Sequence, residues 1–130
     1  MKYTTAVAIP LVVIALLGCD KLIEPKDKGM TEIKKIEQRW IDGVQLAEST
    51  PRIALSHQVA NLQSIKRDFD EVVVGECLKE AKVALGEHMD LTIQGFLEFM
   101  GNKEYTARKT LEEGRKKLDL YKQARDKCSK

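Results

Sequence analysis

The sequence predicts an all-α protein, a four-helix up-and-down antiparallel bundle. Apolar residues recur at steps of three and four along four separate segments, a spacing that places them on one face of a helix. The breaks between these segments are short and carry residues that start or end helices. Charged residues make up 32% of the chain and aromatic residues only 5%, which suits surface-charged helices better than sheets.

The first two helices are expected to meet at Ser49-Thr50-Pro51, the clearest break in the chain. Helix 1 is predicted at about 31–48 with Thr31 as its N-cap, and helix 2 is predicted to end at about Asp70. A hydroxyl residue before a proline is typical of a helix start, because the first turn does not need the missing N–H of proline. The predicted apolar faces are Ile33, Ile36, Trp40, Val44 and Ala47 in helix 1, and Leu55, Val59, Leu62, Ile65 and Phe69 in helix 2.

The last two helices are expected to follow a β-branched connection at 71–75, which contains Val72-Val73-Val74. Helix 3 is predicted from about Glu76 to Gly101-Asn102, since glycine and asparagine are favoured just after a helix. It should be the most buried helix. Its predicted apolar face is Leu78, Ala81, Leu85, Met89, Ile93, Phe96, Leu97 and Met100. Helix 4, from about Lys103, carries a seven-residue apolar pattern at Ala107, Leu111, Gly114, Leu118, Tyr121 and Cys128.

The first eighteen residues have the properties of an export signal. Lys2 is the only charged residue before Asp20, and positions 6–17 are almost wholly aliphatic. This run is shorter than the roughly 20 apolar residues that a membrane-spanning helix needs, and Pro10 interrupts it. A short apolar core that ends in a small residue is typical of a signal peptide, although an uncleaved anchor is an alternative.

The segment Leu16-Leu17-Gly18-Cys19 resembles the lipobox of bacterial lipoproteins. The resemblance implies that residues 1–18 are removed as a signal peptide and that Cys19 carries lipid, including acyl chains such as palmitate. An ordinary signal with a chance cysteine is the alternative. Asp20 is similar to the signal that retains lipoproteins in the inner membrane of enteric bacteria, so this membrane is slightly favoured. Residues 19–30 would then form the lipidated tether, and 31–130 the helical domain facing the periplasm or the exterior.

The two other cysteines, Cys77 and Cys128, form a pair once Cys19 is assigned to lipid. A pair of cysteines in an oxidising compartment is a disulfide candidate, and two unpaired cysteines are the alternative. If helices 3 and 4 form a hairpin that turns at Asn102-Lys103, then Cys77 faces Cys128. The same register sets Leu91 against Gly114. Helices 3 and 4 are therefore predicted to be a disulfide-pinned hairpin.

The sequence offers no pattern typical of a catalytic centre, a metal site or a cofactor site. His57 and His88 are the only histidines, and neither has the Glu-x-x-His or His-x-x-x-His spacing of a metal site in a bundle. Without Lys2, the mature chain has 21 basic and 20 acidic residues. This near-neutral balance argues against a nucleic-acid partner.

The expected function is a non-enzymatic interaction or envelope-associated module, attached to a membrane by lipid and contacting an unknown envelope protein. Trp40 and Arg52 are the candidate partner contacts. The alternatives are that Trp40 packs in the core and that Arg52 pairs with a local acid such as Glu48. One alternative is a carrier of a small apolar ligand between the helices, near Phe96, Phe99, Met100 and Met89. The other is an enzyme that uses His88 with the neighbouring carboxylates.

The mature region also resembles small exported bacterial proteins of uncharacterised function. The resemblance covers about half of the chain and implies a genuine domain type without implying an activity. The segments that carry it are Thr50-Pro51-Arg52-Ile53-Ala54-Leu55, Leu62-Gln63-Ser64-Ile65-Lys66-Arg67, Cys77, His88-Met89-Asp90 and Gly95-Phe96-Leu97-Glu98-Phe99-Met100.

Overall fold

The structure, a computed structural model, describes residues 28–130 as a helical bundle of four α-helices, without a β-strand in that range. Short 3-10 turns precede the second and third helices. The helices are α1 (Met30–Glu48), α2 (Leu55–Asp70), α3 (Lys79–Met100) and α4 (Glu104–Cys128), and the turns are Arg52–Ala54 and Glu76–Leu78. The predicted signal, the lipidation at Cys19 and most of the tether lie outside the described residues.

The helix positions expected from the apolar spacing are confirmed, because the expected faces form the core. Every apolar-face residue expected on α2 is buried, and on α4 the pattern positions Ala107, Gly114, Tyr121 and Cys128 are buried as well. The prediction was wrong for Leu97 of α3, which is 47% exposed. Leu97 directly follows the buried Phe96 on the helix, so the two side chains point in different directions.

The predicted caps differ from the observed ones. Gly29, not Thr31, occupies the N-cap position of α1, with a φ of +88°. A Cβ atom there would lie 2.5 Å from the Val73 carbonyl oxygen, so both the backbone conformation and the space favour glycine. The hydroxyls of Ser49 and Thr50 donate back to the Leu46 carbonyl oxygen, at 2.9 and 2.6 Å. They therefore complete the end of α1 rather than cap the start of α2.

Helices α3 and α4 approach each other closely where small residues lie between them. A Cβ atom added to Gly114 would be 3.3 Å from the Cβ of Leu91, and one added to Gly95 would be 2.6 Å from the side chain of Leu111. The contact between positions 91 and 114 is the one that the register of the predicted hairpin requires. The two backbones can come this near because glycine has no side chain.

The chain segments at the start of α1 and at the connection between α2 and α3 are held together at one end of the bundle. The Gly75 amide donates to the Lys28 carbonyl oxygen at 3.1 Å. Two residues further on, Cys77 forms the predicted disulfide with Cys128, with Cα atoms 5.7 Å apart. We call the end of the bundle formed by residues 28–30, 71–78 and 128 the tether end.

Candidate functional site

A large concave surface of the described residues lies at the other end of the bundle. It is an open, mainly apolar groove of about 580 Å³ between the last turn of α1, the turn before α2, the last turns of α3 and the first turns of α4. We call it the distal groove. Its lining residues are Ala47, Glu48, Thr50, Pro51, Arg52, Leu55, Gly95, Phe96, Phe99, Glu104, Ala107, Arg108 and Leu111.

Arg52 lies at the rim of the distal groove and connects three elements. Its guanidinium donates to the Asn102 side chain and to the Glu104 carboxylate, and it stacks 4.2 Å from the centre of the Phe99 ring. The prediction that Arg52 pairs with Glu48 was wrong, because the turn at 52–54 directs the guanidinium toward Glu104 at the start of α4. Hydrogen bonds from its own backbone N–H and from Arg52 lower the pKa of Glu104. Arg52 is thus oriented by its neighbours beside an apolar surface.

Ile53, next to Arg52, is the most exposed large hydrophobic side chain among residues 28–130. It is 95% exposed, although burial of such an apolar side chain would stabilise the protein. It lies in the turn Arg52–Ala54, directly next to the lining residue Arg52, and its side chain is free to contact another molecule.

A second groove, of about 270 Å³, lies between α1 and α4. We call it the seam groove. It shares Glu48 and Leu111 with the distal groove, so the two grooves adjoin. Its lining residues are Trp40, Ile41, Val44, Gln45, Glu48, His88, Thr92, Leu111, Arg115 and Leu118.

Trp40 lies in the core beside the seam groove, and only 3% of it is exposed. Its ring packs edge-on to that of His88, with the ring centres 6.3 Å apart. This position agrees with the core-packing role expected for Trp40 and does not present the ring on the outer surface for a protein partner. Its Nε1–H is buried and has no hydrogen-bond acceptor within residues 28–130.

His88 is held between α3 and α4. Its Nδ1 lies 2.8 Å from the Gly114 carbonyl oxygen, which can only accept, so Nδ1 carries the proton. Burial lowers the pKa of His88 despite this hydrogen bond. The neighbouring carboxylates face lysines instead: Glu87 pairs with Lys117 at 2.7 Å, and Asp90 lies 3.2 Å from Lys66. The described contacts of His88 are therefore those of a packed side chain.

The predicted site residues are thus separated: Arg52 is at the distal groove, Trp40 and His88 are at the seam groove, and Cys77 and Cys128 are at the tether end. The sequence did not point to the groove residues Glu104, Arg108 and Arg115. They are ordinary charged positions on a helix surface, and they line grooves only because the folded chain places α4 near the end of α1 and the turn at 52–54.

Among the described residues, neither a cluster of metal-binding side chains nor a membrane-spanning helix is found. Within 28–130, no three or more His, Cys, Asp or Glu side chains are grouped so that they could hold a metal ion. None of the described helices combines the length and the apolar character needed to cross a membrane. Comparisons of the chain with protein-family models, with curated proteins and with solved structures found no match.

Proposed function

We propose that this chain is a non-enzymatic binding module of the bacterial cell envelope, anchored to a membrane by lipid on Cys19. The described helices would form an up-and-down antiparallel bundle, with the tether at one end and the distal groove at the other. The position of the groove carries the proposal, because a protein tethered at residue 30 presents its opposite end to the surrounding compartment. Asp20 slightly favours the inner membrane.

The length of α1 supports this arrangement. At about 1.5 Å per residue, its 19 residues separate the tether end from the distal groove by about 28 Å. The groove would therefore project beyond the layer of lipid headgroups and would be accessible to other envelope proteins.

The composition of the distal groove favours an apolar segment of a protein as the partner. Its floor includes Phe96, Phe99 and Leu55, and charged side chains of both signs line its edge. An apolar centre within a polar rim is the usual arrangement of a protein interface. Ile53 adds an exposed apolar side chain directly next to the lining residue Arg52.

Photo-crosslinking in the native host tests this partner. With a photoreactive residue at Ile53, we expect one specific protein adduct at native expression, because that side chain is exposed beside the groove. Val83 is the matched control, since it is also apolar and 62% exposed but lies on α3 in a separate concave surface that it lines with Glu87 and Leu120, whereas Ile53 is next to the lining residue Arg52. Identical adducts at the two positions, or no protein adduct at Ile53, would contradict the proposal.

A carrier of a small apolar ligand is the second candidate function, and the size of the distal groove favours it. Its volume of about 580 Å³ lies within the range of about 300–1,000 Å³ that is usual for small-molecule sites. A lipid adduct at Ile53 in place of a protein adduct would support the carrier.

The anchor itself is tested by the intact mass of the protein extracted from membranes. We expect the mass of a chain that starts at Cys19 and carries two or three acyl chains, since more than one chain is needed for stable attachment. Reduction should add the mass of two hydrogens, because the Cys77–Cys128 disulfide opens. The variant Cys19→Ser should lack the acyl chains. A measured mass that corresponds to the wild-type chain with residues 1–18 still present and no acyl chains attached would refute the anchor.

A further inference from the structure

Exposed apolar side chains share the end of the bundle that carries the distal groove. Among residues 28–130, eight large hydrophobic side chains are exposed, and four of them lie in the last turns of α1 and α3, the first turn of α4 or the turn before α2. They are Leu46, Ile53, Leu97 and Tyr105. Exposed apolar surface that is gathered on one part of a folded protein marks a site of contact with another molecule.

This end of the bundle carries both a projecting apolar side chain and an apolar groove. Ile53 is 95% exposed, so it does not fill the groove of its own chain. Its neighbour Arg52 lines that groove, and Phe96 and Phe99 form part of the floor. The Ile53 side chain of one molecule can therefore be buried in the groove of a second copy, where it would meet these two rings.

The distal groove also holds one acid and one base that are not paired with each other. Glu48 and Arg108 both line the groove and are exposed, and neither forms a salt bridge within residues 28–130. Arg108 influences the Glu104 carboxylate only from a distance, because that carboxylate is bonded to Arg52. A surface with one unpaired acid and one unpaired base is complementary to a copy of itself.

We infer that the distal end binds a second copy of this chain through a two-fold symmetric contact. Ile53 of each copy enters the distal groove of the other, and Glu48 of each copy pairs with Arg108 of the other, so every contact is made twice. The chain has 22 basic and 20 acidic residues, and copies with so little net charge repel each other weakly. This inference rests on the proposed interaction module and names its partner.

The proposed membrane anchor strengthens such a contact. A contact limited to one end of a bundle belongs with the small, weak interfaces, which bury less than about 1,200 Å². A two-fold axis that runs along the bundle lets the tethers of both copies reach the same membrane. Confinement to that membrane would raise the effective concentration of each copy for the other. The inference is therefore tested with the full chain in its native host.

The composition of the adduct at Ile53 is the first test. With a photoreactive residue at this position, we expect an adduct of about twice the mass of one chain, with the crosslink among residues that line the distal groove. An adduct with a different protein would refute the second copy as the occupant, and the interaction module would stand. Absence of any protein adduct would contradict both.

An exchange of charges between two copies tests the symmetry of the contact. If both copies carry Glu48→Arg, two arginines meet at each contact, and if both carry Arg108→Glu, two glutamates meet. Each change should lower the yield of the Ile53 adduct at least about tenfold, because like charges repel. When one copy carries Glu48→Arg and the other carries Arg108→Glu, opposite charges meet at both contacts. The yield should then recover.

The matched control for these variants is Asp119→Arg. Asp119 is exposed on α4 and lines neither groove, so the same kind of charge reversal there should leave the yield unchanged. Recovery in the mixed pair cannot arise within one chain, because each chain carries only one of the two changes. If the mixed pair gives as little adduct as either variant alone, the contact between Glu48 and Arg108 does not exist and the two-fold dimer is refuted.

Discussion

Removal of the Cys77–Cys128 disulfide is expected to lower the free energy of unfolding by about 4 kcal/mol. The bond closes a loop with a sequence separation of 51 residues, and a loop of this length gives about 4 kcal/mol in the chain-entropy model. The total stability of a domain of this size is about 5–15 kcal/mol. The loss would therefore be a large part of the whole.

Urea unfolding of the double variant Cys77→Ala/Cys128→Ala, with and without a reducing agent, measures this contribution. The reducing agent should destabilise the wild-type protein and leave the double variant unchanged, because only the wild type has a bond to reduce. A loss below about 1 kcal/mol would show that the unfolded chain is already restricted without the bond.

The substitution Gly114→Leu is expected to cost about 3 kcal/mol of stability. Even a Cβ atom at this position would lie 3.3 Å from the Cβ of Leu91, an atom fixed to the backbone of α3. A larger side chain must move the helices apart, and overpacking of this kind typically costs about 1–3 kcal/mol. The displacement would also disturb the hydrogen bond from His88 to the Gly114 carbonyl oxygen.

Gly86→Ala in α3 is the matched control for this effect. The nearest atom to its new Cβ would be Cε1 of Phe69 at 3.5 Å, an ordinary van der Waals contact. The change should stabilise the protein by up to about 1 kcal/mol, since alanine is the better helix former. Thermal or urea unfolding of both variants measures the two changes in stability. Similar losses at the two positions would contradict the close packing of α3 and α4 at Gly114.

The sequence could predict those features that depend on residues close to one another along the chain. The Gly101-Asn102 turn lies directly between α3 and α4, so the register of this pair follows from counting residues outward from the turn. Counting from the turn set Leu91 against Gly114 and Cys77 against Cys128. Apolar spacing located the helices for the same reason, because it depends only on near neighbours.

The two grooves depend on contacts between distant parts of the chain, and the sequence did not predict them. How far α1 and α4 separate is fixed by their packing on α2 and α3, and no turn joins them directly. The side chain of Arg52 could likewise have met Glu48, nearby in sequence, but its observed partner Glu104 is 52 residues away. An unsatisfied donor such as Trp40 Nε1–H becomes visible only when all of the surrounding atoms are placed.

In the proposed anchored state, the contacts at the tether end would have a mechanical consequence. The carbonyl oxygen of Lys28 is bonded to the amide of Gly75, two residues before Cys77, which is linked covalently to the end of α4. A force applied to the tether would act on the hydrogen bond between Lys28 and Gly75 before it acted on the interior of α1. Force would thus pass through this hydrogen bond to Gly75 and then, through the disulfide, to the end of α4.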